Sequence, residues 1–240
     1  MEAEMILEVE NLNVFRDGSH ILRNVSLEVK KGEMVCLVGR NGAGKTTLLR
    51  TIMGYIKPKS GTIKFLGRNI TGHSPHEVSI LGIGYSPDDL KIFPSLSVEE
   101  NIELPLITRK YNKFMVKEGL DYIYSVFPVL QSYKNKPGTH ISGGERRMLA
   151  IARALVTRPS LILLDEPFEG LAPIMRSRLG DRLKVLMEQG LTLFLTSSNL
   201  YGIPEGANRI YCIERGEIIY HGNLKEMLSD KQVKEVFGLI

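Results

Sequence analysis

No stretch of this 240-residue chain is apolar for long enough to span a bilayer as a helix. The longest uncharged runs fall well short of the roughly 20 residues such a span needs. Only two cysteines are present, Cys36 and Cys212, each within an apolar, strand-like run. Buried free thiols are expected at such positions, which argues against a disulfide framework or a cysteine metal pair. Basic runs are also missing. The formal charge is +4, and no cluster reads as a nucleic-acid patch, so nucleic acid is not an expected partner. Glu2 and Glu4 stand where an export signal would need basic and then apolar residues, so none is expected. His73 and His76 have ligand-like spacing, but they lie in a Ser/Pro/Gly-rich stretch without further ligands, so metal binding there is not expected. Repeats and low-complexity linkers are lacking too. What remains is a chain long enough to bury a full core as one domain, with room for a subdomain.

What is present is Gly39-Arg40-Asn41-Gly42-Ala43-Gly44-Lys45-Thr46, which fits G-x-x-x-x-G-K-[ST]. Glycines at both ends let the backbone fold back, so that successive N–H groups point at a triphosphate. Lys45 adds a charge for the β- and γ-phosphates, and the Thr46 hydroxyl is an Mg²⁺ ligand. Met34-Val35-Cys36-Leu37-Val38 before the loop reads as a buried strand. The segment from Thr47 to Met53 reads as a helix, whose positive end adds to the anion site.

A Mg-bound triphosphate also needs acids, and candidates lie about 120 residues later. Leu161-Ile162-Leu163-Leu164 is apolar at every position, as in a strand of a parallel sheet buried on both faces. It ends in Asp165-Glu166-Pro167, at the carboxyl end where such sheets bind ligands. Asp165 is expected to hold hydrated Mg²⁺ and Glu166 to polarise the attacking water. A third motif, Ser142-Gly143-Gly144-Glu145, opens a helix that stops near Pro159. Ser142 and Glu145 form a capping box. Whether the two glycines also mark a second phosphate site is left open by the residues alone.

In this order the three motifs resemble the ATP-binding-cassette family, the ATPase subunits of ABC transporters, over essentially the whole chain. The resemblance puts Walker A at residues 39–46, with Thr47 beside it, the signature at 142–145, Walker B at 161–165 and the catalytic glutamate at Glu166. It implies ATP and Mg²⁺, membrane permease subunits, and a second ATPase subunit facing the first head to tail. The nucleotide on one Walker A would be completed by Ser142, Gly143 and Gly144 of the other. It also implies a place on the cytoplasmic face of the membrane. Phe15 falls where an aromatic stacks on adenine in this family. Two positions depart from its common pattern. Asp88 stands where glutamine is usual, and Ser198 where a histidine contacts the γ-phosphate. An acid at position 88 is still an Mg²⁺ ligand, and Ser198 can donate one uncharged hydrogen bond.

These departures, with Gly170-Leu171-Ala172-Pro173 after Walker B, resemble the branched-chain amino-acid transport ATPases. Urea and amide importers share much of the pattern, and an exporter ATPase is the competing assignment. Asp88 and Ser198 also keep open a regulatory subunit that hydrolyses slowly.

The expected fold is α/β: a P-loop NTPase core with a mixed, mainly parallel sheet, an antiparallel β part and an inserted helical subdomain. Alternating segments such as Ile6-Leu7-Glu8-Val9-Glu10 predict half-exposed antiparallel strands near the start. The core is expected from about 1 to 93 and 160 to 240, and the helical signature subdomain from about 94 to 159, within one domain. A helix is expected over 173–189, with Pro173 in its first turn. Strands flanking Arg215-Gly216 are expected to form a hairpin, followed by one terminal helix.

Overall fold

A computed structural model of the chain describes residues 4–239, so the reading made at Glu2 lies outside it. β1 (Met5–Arg16) and β2 (Ser19–Lys30) pair antiparallel, with Leu7 opposite Val29 and Val9 opposite Leu27. β3 (Met34–Val38) leads through the glycine loop into α1 (Lys45–Ile52). β4 (Ser60–Phe65) and β5 (Arg68–Asn69) complete a four-stranded sheet in the order β2-β1-β4-β5. α2 (Pro75–Ile80) begins with a Ser74/Glu77 capping box and precedes β6 (Ile83–Ser86). Four helices follow in succession: α3 (Val98–Thr108), α4 (Lys113–Val126), α5 (Pro128–Ser132) and α6 (Gly143–Leu155). β7 (Leu161–Leu164), α7 (Pro173–Glu188) and β8 (Thr192–Ser197) return the chain to the sheet.

β9 (Arg209–Glu214) and β10 (Glu217–Gly222) form the expected hairpin. Arg215 and Gly216 both have positive φ, 48° and 84°, the geometry of a type I′ turn. Gly216 is also needed for closeness, because a Cβ there would lie 2.1 Å from the Ile21 carbonyl oxygen. The turn therefore ties β2 to the glycine loop: Gly216 accepts from Arg23 N–H and donates to the Ala43 carbonyl. The single terminal helix expected from sequence is two short ones, α8 (Leu224–Met227) and α9 (Lys231–Phe237). Asn223 and Asp230 each cap a helix, and the second cap restarts the chain in a new direction.

The second sheet runs β10-β9-β3-β8-β7-β6 and is parallel from β9 to β6. Its continuous apolar strands follow from burial on both faces. Met34, Cys36, Val38, Ile162 and Leu164 face a core shared with Ile102, Leu149 and Leu183 of the helices. Val35, Leu37, Leu161, Leu163 and Phe194 alternate with them into a core shared with β1 and β2. Leu163 is wholly buried, and truncating such a leucine to alanine costs about 2–5 kcal/mol. Both cysteines are buried and free. Burial pushes the Cys36 thiol up, with Glu166 adding to the rise, and pushes Cys212 up to about 12. Among the described residues, no helix is long and apolar enough to cross a membrane.

Candidate functional site

The glycine loop is shaped by close contacts that larger residues could not make. Gly39 follows β3 and donates its N–H to the Ser197 carbonyl at 3.1 Å. A Cβ on Gly39 would fall 2.3 Å from the Ile213 carbonyl oxygen. Gly44, at φ 114°, is the N-cap of α1 and offers no side-chain cap. The first-turn N–H groups thus lack a side-chain acceptor, a state suited to an anion. Lys45 is 4% exposed and curls back over the loop. Its Nζ donates to the Gly39 and Arg40 carbonyls at 2.7 and 3.2 Å, and lies 3.1 Å from Glu166 Oε1.

A concavity of about 480 Å³ opens over this loop. Asn41, Gly42, Gly44, Lys45, Thr46 and Thr47 line it together with the acids Asp88, Glu166 and Glu169. Ala43 is buried beneath, its N–H bonded to the Arg40 carbonyl. A larger and more apolar cleft, about 790 Å³, lies elsewhere, against Tyr55, Ile83, Pro105 and Arg153, and does not include the loop.

The β7–β8 pairing sets Leu164 against Leu195, so Asp165 arrives beside Thr196. Thr196 Oγ1 donates to Asp165 Oδ1 at 2.7 Å and accepts the Glu166 N–H at 2.9 Å. Asp165 Oδ2 is buried without a hydrogen-bond partner among the described residues. The Thr46 hydroxyl sits beside this carboxylate without a bond of ordinary geometry. Burial raises the Asp165 carboxyl above its usual range. The two threonine hydroxyls oppose the rise, and Asp88 and Glu166 add to it. An orphaned carboxylate oxygen beside a hydroxyl fits a hard divalent cation with oxygen ligands. Glu166 is held at φ 50°, a left-handed geometry that costs a non-glycine residue about 1–3 kcal/mol. Its Oε2 accepts the Ser198 N–H at 2.9 Å.

Ser142 caps α6 as expected. Its Oγ accepts the Glu145 N–H at 3.3 Å, and its own N–H donates to Glu145 Oε2 at 2.8 Å. One oxygen of the Glu145 carboxylate, a group expected among the nucleotide contacts, is engaged in this cap. Ser142, Gly143 and Gly144 are not on the walls of the concavity, and Gly143 has open space around it. Phe15 is 48% exposed near the end of β1, stacked on His20 with centroids 4.1 Å apart and planes 8° apart. One face of its ring is covered by His20.

Residues 22–169 match the ABC transporter family. This chain is an ABC transporter ATPase. Over 233 residues it is 35% identical to the high-affinity branched-chain amino acid transport ATP-binding protein BraG of Pseudomonas aeruginosa, covering 97% of this chain and 99% of that one. It is 36% identical over 233 residues to the lipopolysaccharide export system ATP-binding protein LptB of Haemophilus influenzae, covering 97% and 96%. A crystal structure of an ATP-binding cassette of an ABC transporter in its ADP conformation matches with a TM-score of 0.85 at 28% identity, covering 97% and 98%. The family binds nucleotide, couples ATP hydrolysis to transport and works with membrane permease components.

The ABC ATPase contains three contacts that sequence reading missed. Thr196 is one. A register argument from the two apolar strands would have found it, since it is the polar residue that follows Leu195 at the strand end. Arg147 is the second: from α6 it donates to the Asp88 carbonyl at 3.2 Å and the Glu169 carbonyl at 3.3 Å. Asn101 is the third. Wholly buried, it accepts from Phe93 N–H and donates to the Phe93, Leu96 and Ser97 carbonyls, which fixes the loop after Asp88. Ser198 differs from expectation in what it offers. Its amide holds Glu166, while among the described residues its hydroxyl accepts only from the Asn199 side-chain amide, at 3.5 Å.

Proposed function

We propose that this ABC ATPase powers import of branched-chain, hydrophobic amino acids from the cytoplasmic face of a membrane, working as one of a pair of cassettes. The observation that carries the hydrolytic part is the convergence of Lys45, Glu166, Asp165 and Thr46 at the carboxyl ends of β3 and β7. The triphosphate takes the free N–H groups at the start of α1, and Lys45 exchanges Glu166 for phosphate oxygens. Glu166, still steered by the Ser198 amide, then orients a water in line with the γ-phosphorus and accepts its proton as the bond to the ADP oxygen breaks. Thr46 and Asp165, with Asp88 of the concavity, would hold Mg²⁺, which when bound neutralises charge on the phosphates. Phe15 offers its uncovered face to adenine. Ser142, Gly143 and Gly144 lie away from their own chain's loop and complete the site of the partner cassette.

Residues 94–159 would move as the helical subdomain. Arg147 connects the signature helix to Asp88, and the cleft of about 790 Å³ between α2, β6 and α6 receives the permease. Similarity to BraG and the Gly170-Leu171-Ala172-Pro173 loop support amino-acid import. Similarity to LptB favours a second reading, lipopolysaccharide export. The test is the membrane complex in liposomes. Leucine uptake that requires ATP and is lost in Glu166→Gln supports import, and turnover stimulated by lipopolysaccharide alone supports export.

A further inference from the structure

The turn joining α3 to α4 combines three features that the nucleotide chemistry does not use. It is apolar where it meets solvent: Ile107, Phe114 and Met115 are 55%, 70% and 40% exposed, and Ile80 of α2 is 57% exposed. It is basic: Arg109, Lys110, Lys113 and Lys117 follow one another without an Asp or Glu from Pro105 to Lys117. Among the described residues, Lys110, Lys113 and Lys117 form no ion pair.

The turn is also built rather than loose. The Arg109 guanidinium donates to the Ser79 carbonyl and hydroxyl, which brings the end of α3 against α2 beside Ile80. Lys110 takes φ 58°, Tyr111 packs on the core, and Asn112 caps α4 by accepting the Met115 N–H at 3.0 Å. The apolar side chains are therefore presented on a fixed edge with cations around them.

We infer that this turn is a lipid-contact surface that seats on the anionic headgroups of a membrane. A nucleic acid would use the cations but leave Ile107 and Phe114 in water. An apolar protein groove would leave the lysines without counter-charges. A bilayer surface accepts both, because apolar side chains enter the headgroup–acyl boundary while lysine ammonium groups stay among the phosphates. Pro75, Ser79 and Pro105 line the neighbouring cleft, so the turn flanks the side assigned above to the permease. The inference takes its orientation from that reading. Vesicles without any permease test it separately, so either can fail alone.

The experiment is co-sedimentation of the purified chain with vesicles of equimolar phosphatidylcholine and phosphatidylglycerol, beside vesicles of phosphatidylcholine alone. Reversible, salt-sensitive binding to the anionic vesicles is expected. Each lysine at such a surface contributes about fivefold in affinity, so combining Lys110→Gln, Lys113→Gln and Lys117→Gln should lower binding more than about tenfold. Phe114→Ser should lower it several-fold on the apolar side. A charge-matched control, Lys225→Gln with Lys231→Gln and Lys234→Gln, should bind like the parent. ATP turnover and melting temperature should be unchanged throughout. Failure of the parent to bind anionic vesicles overturns the inference, as does equal loss in the control or undiminished binding by the turn variants. If the turn variants lose only assembly with the permease, the surface belongs to a protein partner and the lipid assignment is wrong.

Discussion

Lys45 Nζ lies 3.1 Å from Glu166 Oε1, and both side chains are about nine-tenths buried or more. The cation proposed to hold the triphosphate and the base proposed to activate water thus satisfy each other across the site. Neither is left as an uncompensated buried charge, which would be strongly unfavourable. On this proposal nucleotide exchanges one anion for another at Lys45, and the carboxylate released is the one proposed to activate water.

Glu166→Gln therefore has two expected effects. Hydrolysis should fall by about 10²–10⁴-fold with the proposed general base gone. ATP affinity stays level or rises, because the rival anion for Lys45 is removed. Phosphate release and a fluorescent-nucleotide titration check the two; weakened binding would contradict the exchange. Lys45→Ala should abolish ATP binding and lower the melting temperature, since it strands Glu166.

Thr196→Val tests the shared anchor of the two acids. It removes the donor to Asp165 and the acceptor for the Glu166 amide, leaving buried groups unsatisfied at a cost of about 1–3 kcal/mol. Turnover should fall about 10–100-fold, as for other groups that orient metal ligands, and the Mg²⁺ concentration for half-maximal rate should rise. Thr196→Ser should restore both. A loss of stability with an unchanged Mg²⁺ profile would mean that Thr196 is only structural.

The raised Asp165 carboxyl fixes a pH dependence. Folded protein keeps this proton to higher pH than the unfolded chain, where the value is about 3.9. As pH rises from there through the elevated folded value, stability without nucleotide or metal declines. Asp165→Asn lacks that decline. Its melting temperature should gain on the parent as pH rises above about 4, and the gap should level off once the native carboxyl is ionised. Thermal melts across pH check it, and a gap that is constant or largest in acid would refute it.

Ser142→Ala separates the two roles of the signature. Loss of the helix cap alone costs about 1 kcal/mol and lowers the melting temperature modestly. If Ser142 also serves the partner's nucleotide, turnover should fall far more than stability, with ATP binding to the single chain unchanged. Equal, small effects would leave it as a cap.

Ser198→His should raise turnover by adding a charged phosphate contact, while the backbone amide still holds Glu166. A sharp fall in phosphate release would show that serine is matched to its site.

The glycine loop between strand and helix, the acid pair at a strand end and the Ser142 cap were legible because each is contiguous in sequence and has a local physical signature. The hairpin at Arg215-Gly216 was legible for the same reason, as was the buried sheet from its apolar runs. Thr196 and Arg147 were not, because their partners lie 30 and 22 residues away at the closest. Such contacts depend on strand register and helix packing, which periodicity does not encode. The Lys45–Glu166 pair was missed although both residues were named, since separate motifs were read in the roles they take with nucleotide present. The lysines of the α3–α4 turn are separated by Tyr111-Asn112 and Phe114-Met115-Val116, so no long basic run betrayed them.

The most direct test of the central claim is a crystal structure of the chain with Mg²⁺ and a non-hydrolysable ATP analogue. The account predicts the triphosphate cradled by residues 39–46, Lys45 Nζ bonded to its oxygens, and Glu166 released towards a water beside the γ-phosphate. A loop without phosphate, or Lys45 still paired with Glu166 while the analogue sits elsewhere, would contradict it.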